Sequence, residues 1–269
     1  YAINQAGPFG AILSYLFGGV MVYLVMFSLG ELSVAMPVTG SFHTYATRFI
    51  SPGTGFMVAW MYWLCWVVAL ASQFIGAAQL ALRWFPNVPI WVFATLFALL
   101  VFGLNALSVG WFATAEDYFS SIKFYAILVF IILGMLAIFG ILPYEGTSSA
   151  PLFTNLTANG LFPNHWIGVI SVMLSVNYAY SGVEMIGIAA GETDNPKKAV
   201  PKAIKSTIGL LVTFFSLTIL VLASLLPMDQ AGVVEAPFVV VFEKIGIPYA
   251  ADIMNFVIFI DTFFYFCFK

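Results

Sequence analysis

The stretch "VNYAYSGVEMIGIAAGETDNPKK" sets Ser181, Gly182 and Glu184 side by side in one of the most apolar regions of the chain. A carboxylate in hydrocarbon is expensive, which makes an ionisable residue inside a span a functional hypothesis by default. Gly182 costs about 1 kcal/mol of helix propensity relative to alanine, and the Ser181 hydroxyl competes for backbone hydrogen bonds. A break near 179–182 would free carbonyls at the end of one half-helix and N–H groups at the start of the next. Discontinuous helices of this kind build midplane binding sites for small solutes. The competing reading is a continuous helix in which the glycine allows close packing and the glutamate pairs locally.

Three other ionisable groups fall within apolar runs. Lys123, in "YFSSIKFYAILVF", either snorkels from the start of a span or faces the bundle interior, where desolvation would suit it to carrying a proton. Glu31, in "SLGELSVAMPVTG", lies near the inner end of the first run and suits helix packing or an inner gate. Asp261 lies in "FIDTFFYFCFK". Aromatic residues gather in "WMYWLCW" and at Tyr178 and Tyr180. Trp60 fits an interfacial belt, whereas Tyr62, Trp63 and Trp66 lie deeper, where rings facing a cavity could hold a cation. The chain has no phosphate-binding loop, HExxH pair, nucleophile elbow or metal-type cluster, so the expectation is no enzyme, no cofactor and no metal.

The elements that must position these residues are membrane helices. The 269 residues are 62% hydrophobic and 8% charged, far below the roughly 25% charged residues of soluble domains. A net charge of -3 and the lack of a basic block argue against nucleic acid as a partner. Cys65 and Cys267 both sit in apolar runs and are read as inert packing. Runs of about 20 apolar residues occur at 8–36, 54–82, 89–110, 121–143, 166–190, 206–227 and from about 252 onward, giving seven candidate spans. Strand-type alternation is absent, which argues against a β-barrel. Lys197, Lys198, Lys202 and Lys205 follow the fifth run, with Arg48 and Lys123 on the same side, so that side is cytoplasmic. The first run then passes from outside to inside, and the expectation is a helix preceding Tyr1. Loop 144–165 carries the sequon Asn155-Leu156-Thr157 on the expected outer face, which reads as a chance triplet if the source is bacterial. Segment 235–250 is too short and too charged to span, and reads as an interfacial or capping helix on the outer side.

The stretches "GELSVAMPVTGSFHTYATRFISPGTGFMVAWMYW", "SGVEMIGIAAGETDNPKKAVPKAI" and "LLPMDQAGVVEAPFVVVFEKIGIPYAADIMNFVI" together resemble bacterial amino acid permeases of the amino acid–polyamine–organocation superfamily, with S-methylmethionine permeases nearest. The resemblance runs from about Gln5 to Ile258. It implies an all-α integral membrane protein with a partial leucine-transporter-like fold of inverted five-helix repeats. The seven spans are then family helices two to eight, and residues 1–269 form a single transport domain. It implies that "NYAYSGVE" is the half-site on the sixth helix, where carbonyls at the break receive a substrate ammonium. Tyr178, Tyr180, Ser181, Gly182 and Glu184 inherit that role, Tyr178 as an aromatic lid. Lys123 falls where proton-coupled relatives keep a lysine, and Glu192, in "AGETDNPKK", becomes an inner-gate or loop-anchoring residue. The family's Gly-rich first helix has no counterpart here, and after Ile258 the bulky "FIDTFFYFCFK" departs from the family's small-residue pattern. A frame change or an early end would explain both, and Asp261 would then be no functional acid.

The resulting expectation is proton-coupled amino acid import across the plasma (inner) membrane, with an amino acid such as S-methylmethionine and protons as partners and the chain inactive alone as a fragment. Helices one, two, six and seven would rock against three, four, eight and nine. An amino acid or polyamine exchanger, and a non-transporting membrane protein of the same fold, are the alternatives.

Overall fold

A computed structural model describes residues 1–38, 40–107, 110–145, 150–193, 195–228, 237–247 and 249–264, with side chains described for these except 104–107, 110–120, 192, 261, 263 and 264. All regular structure among the described residues is helical. The elements are α1 (Ala2–Ala6), α2 (Pro8–Ala35), α3 (Ser41–Phe49), α4 (Pro52–Ala81), α5 (Ile90–Leu107), α6 (Gly110–Ile138), α7 (Thr154–Thr157) and α8 (His165–Ala179). After α8 come α9 (Met185–Ile188), a 3₁₀ turn (Ala189–Glu192), α10 (Pro196–Leu225), α11 (Pro237–Ile245) and α12 (Ala250–Phe264).

Four helices carry a continuous membrane-length apolar stretch among the described residues: Pro8–Ala35, Pro52–Ala81, Ser121–Ile138 and Pro196–Leu225. Shorter apolar helices at Ile90–Gly103, His165–Ala179 and Ala250–Ile260 occupy the other three expected runs. The apolar surface is poorly covered within the chain. Only 11% of the most apolar window of α4 and 22% of that of α2 are buried, an arrangement stable only where lipid or other protein replaces water.

The break expected near 179–182 in run 166–190 is present: α8 stops at Ala179 and a turn over 180–184 precedes α9. Two boundaries differ from the sequence expectation. The lysine-rich loop before 206 is instead the opening of α10, which starts at Pro196 in the favoured first helical position and carries Pro201 inside. Lysine and alanine are good helix formers, so helix propensity wins over the polar composition of this segment. Similarly, α6 begins at Gly110, although its apolar stretch begins only at Ser121, two residues before Lys123.

The chain divides into two compact units, Tyr1–Trp63 with Pro151–Val233, and Leu64–Ala150 with Val234–Lys269. In the first, α2 packs against α8 and α10. Its small residues make this possible. Gly10, Ser14 and Gly18 recur every fourth residue and are buried; a methyl group on Gly18 would come within 2.5 Å of Val176 Cγ1. A methyl on Gly30 would meet Ile204 Cδ1 at the same distance. Such close approach maximises dispersion contact where helices gain little from the hydrophobic effect. Two buried clusters fill the unit, one around Met26, Val183, Val200 and Ile204, the other around Val169, Val172, Val176 and Tyr180. The sequon residue Asn155 donates its amide to the Ser224 carbonyl at 2.8 Å, an arrangement that ties α7 to the end of α10.

The second unit is built around Ala77, Ala78, Ala81, Phe97 and Val101, with Phe259 of α12 packed against them. Segment 237–245 is a short helix burying Val239, Val241, Phe242 and Ile245. Beyond α4, Arg83 joins α11 and α12. Its Nε donates to Asp252 at 2.9 Å and an Nη to Glu243 at 2.8 Å. These bonds, first to Asp252 and then to Glu243, raise the arginine pKa above its already high ordinary value. The groups are part-exposed, at 34% for Arg83 and 47% for Glu243, so water screens the attraction. Glu243→Gln is therefore expected to cost less than about 1 kcal/mol, read as a small shift in thermal unfolding in detergent.

Candidate functional site: a broken helix

The break after α8 is set by local sequence. Tyr180 N–H bonds to the carbonyls of Val176 and Asn177, and Ser181 N–H to that of Tyr178, tightening the last turn. Gly182 then takes φ +98°, a conformation that L side chains rarely adopt. Bonding resumes when Met185 N–H reaches the Gly182 carbonyl at 3.2 Å and Ile186 N–H that of Val183 at 3.2 Å.

Two kinds of backbone group are left at the gap. The Gly182 N–H, an orphan donor, is taken by Glu184 Oε2 at 2.8 Å. The carbonyls of Ala179, Tyr180 and Ser181 receive no hydrogen bond from any described residue. Unpaired carbonyls in a membrane helix are tolerated where they line a polar cavity or meet a ligand. Three partial negative charges at the end of a half-helix, next to a carboxylate, suit a cation such as an ammonium.

Side chains around the gap divide by burial. Tyr178 is half exposed, with 50% of its surface accessible, and Ser181 is exposed, its hydroxyl donating to the Tyr178 carbonyl at 2.7 Å. Tyr180 is 1% exposed; its hydroxyl donates to the Tyr15 carbonyl at 2.9 Å and its ring meets Phe215 edge-on at 5.1 Å. That phenol is committed to the contact between α8, α2 and α10. Tyr62 reaches the gap from α4, its single O–H shared between two acceptors, Glu184 Oε1 at 3.5 Å and Met185 Sδ at 3.2 Å. Its ring is held edge-on by Phe42 of α3 at 4.8 Å.

The structure thus brings Tyr62, Gly182 and Glu184 together, with Tyr178 and Ser181 open beside them. Trp66 and Lys123 belong to the second unit and are each half-buried. Glu31 is exposed in a cleft of about 180 Å³ between α2 and α10, where Gly30, Pro201 and Lys205 also line the wall. The side chains of Glu192 and Asp261, and all of Cys267, lie outside the described residues. Sequence reasoning missed Phe42 and Met185, which no local pattern marks; the freed carbonyls at 179–182 were expected. No group of three metal-type ligands occurs among the described residues.

The carboxylate's first duty is structural, which separates two substitutions. Glu184→Gln keeps an acceptor for the Gly182 N–H and is expected to unfold near the parent temperature. Glu184→Ala strands that donor and is expected to cost about 1–3 kcal/mol, measured by chemical unfolding in detergent.

The family model for amino acid permeases matches residues 1–267. The chain belongs to the amino acid permease family. This family comprises membrane transporters, not enzymes, and the chain is a multi-pass membrane protein of it. It is 53% identical over 260 residues to the amino-acid permease RocE of Bacillus subtilis, covering 97% of this chain and 56% of RocE. It is 52% identical to a putative histidine permease of the same organism, over 96% of this chain and 54% of the relative. With the lysine-specific permease LysP of Escherichia coli it shares 38%, over 95% and 54%. None of the three is named for S-methylmethionine. The chain spans about half the length of these relatives. The family match also continues past Ile258, where the sequence was expected to diverge.

Proposed function

We propose that this chain forms the substrate-receiving part of a proton-coupled amino acid importer of the plasma membrane, residues 1–269 acting as one transport domain. The observation that carries the reading is the gap after α8, where the carbonyls of Ala179, Tyr180 and Ser181 have no donor among the described residues. A substrate ammonium would take these acceptors, with Tyr178 closing over it. Glu184 and Tyr62 would hold the gap open, and Tyr180 would anchor it to α2. Trp66 would supply a further ring to the substrate, Lys123 would carry the coupled proton, and Glu31 and Glu192 would act at the inner end.

The substrate class we favour is an amino acid with a cationic side chain. Relatives named for lysine and histidine support it, as do acceptor carbonyls beside a carboxylate. S-methylmethionine fits the same class. Uptake by the full gene product in proteoliposomes, driven by an imposed inward proton gradient with no internal amino acid, tests the reading. Accumulation of lysine, histidine or S-methylmethionine that collapses with an uncoupler is expected. Uptake only when the vesicles are preloaded would instead make the protein an exchanger.

A further inference from the structure

A cavity of about 690 Å³ is lined wholly by residues of the second unit. That is the size of a small-molecule site. Its polar lining is Gln73, Gln79 and Arg83 from α4 and its continuation, with Asn255 and Thr262 from α12. Gln73, Gly76, Leu80 and Arg83 recur at helical spacing and share one face of the wall. Gly76 leaves the space between the glutamines open, its nearest neighbour across the gap being the Thr262 methyl.

Two features separate this cavity from a packing defect. The amides of Gln73 and Gln79 have no hydrogen-bond partner among the described residues, although α4 is otherwise an apolar membrane helix. Leaving amides unpaired in hydrocarbon costs several kcal/mol, so this face must meet water or a polar solute. Secondly, the lining carries a cation with a free edge. Arg83 commits Nε and one Nη to Asp252 and Glu243, and its other terminal nitrogen remains available among the described residues. A carboxylate can approach that free nitrogen while an ammonium meets the side-chain carbonyls of Gln73 and Gln79. The amides, which both donate and accept, can serve either end.

We infer that this cavity is a second binding site for an α-amino acid zwitterion, distinct from the gap after α8. The inference rests on the amino acid substrate proposed above. Equilibrium dialysis of the purified full gene product tests it, using a radiolabelled form of whichever amino acid the product accumulates fastest. Two equivalents are expected to bind per chain, falling to one in the Gln73→Leu/Gln79→Leu double variant and to one in Gly182→Leu. A stoichiometry unchanged by the glutamine substitutions overturns the second site and leaves the gap reading standing. Loss in the glutamine variant with two equivalents retained in Gly182→Leu supports the cavity and removes the gap. No binding to the parent overturns both.

A milder variant guards against misfolding. Gln79 is exposed, so Gln79→Cys, with the native cysteines replaced by serine, tolerates its site. In the Gly182→Leu background, saturating amino acid is expected to slow its modification by a membrane-impermeant thiosulfonate at least threefold. An unchanged rate refutes the site.

Discussion

Uptake by the Gly182→Leu variant of the full gene product is expected to fall at least tenfold at normal expression. The backbone there has φ +98°, and an L side chain in such a conformation carries roughly 1–2 kcal/mol of strain. The chain can relieve that strain by continuing α8 as regular helix. Continuation would give the carbonyls of Ala179 to Ser181 internal donors and so remove the acceptors offered to an ammonium. It would also withdraw the Gly182 N–H from Glu184. A tenfold loss corresponds to about 1.4 kcal/mol, within what one displaced ligand group can supply. Gly160→Leu is the control. Gly160 also has positive φ, at +82°, but an added Cβ there would meet nothing within 4 Å. Backbone strain alone should therefore leave Gly160→Leu transporting normally; equal losses in both variants would assign the effect to strain and remove the gap from the mechanism.

The second large effect is on stability. Gly168→Val is expected to destabilise the chain by about 3 kcal/mol, at the upper end of overpacking costs. A Cβ at Gly168 would overlap the backbone carbonyl of Gln5, and would sit 3.0 Å from Asn164 Cβ and 3.3 Å from Ala6 Cα. Backbone cannot rotate away as a side chain can, so α1 must separate from α8. Asn164, which bonds the Gln5 carbonyl at 2.9 Å, would lose its partner in the same step. The comparison is Gly209→Val in α10, where an added Cβ meets nothing within 4 Å. Thermal unfolding in detergent should show a large drop for the first and little for the second; similar values would mean that α1 is not held against α8 as described.

Residue type made the break legible. Glycine after serine, with a glutamate two residues on, conflicts with an otherwise uniform apolar helix, and the structure interrupts the helix there. The ends of α2 and α4 were readable too, because Pro8 and Pro52 favour the first turn of a helix while apolar length fixes the far end. The start of α10 was not. Four lysines read as a loop by polarity, whereas their helix propensity and Pro196 at the first position favour a helix that enters the membrane already formed. Environment was the least legible property. Tyr178 and Tyr180 are the same residue type two positions apart, yet one is half exposed and the other buried. The difference comes from Gly18 and Gly19, whose missing side chains leave room for the Tyr180 ring. The pairing of Tyr62 with Glu184 spans 122 residues, and no local pattern in either segment announces it.

The two stretches flanking the gap share one support. On one side, Gly18 lies against Val176, and the Tyr180 hydroxyl is bonded to the Tyr15 carbonyl. On the other, Gly187 lies against Leu29, and the Ser33 hydroxyl donates to the Gly187 carbonyl at 3.4 Å. Both stretches are fastened to α2 as two jaws are fastened to a single rod. Their relative placement is therefore tied to α2, through Tyr15 and Gly18 on one side and Leu29 and Ser33 on the other. The gap behaves mechanically as a socket braced from one side. A movement that admits or releases a solute must carry α2, α8 and α9 together.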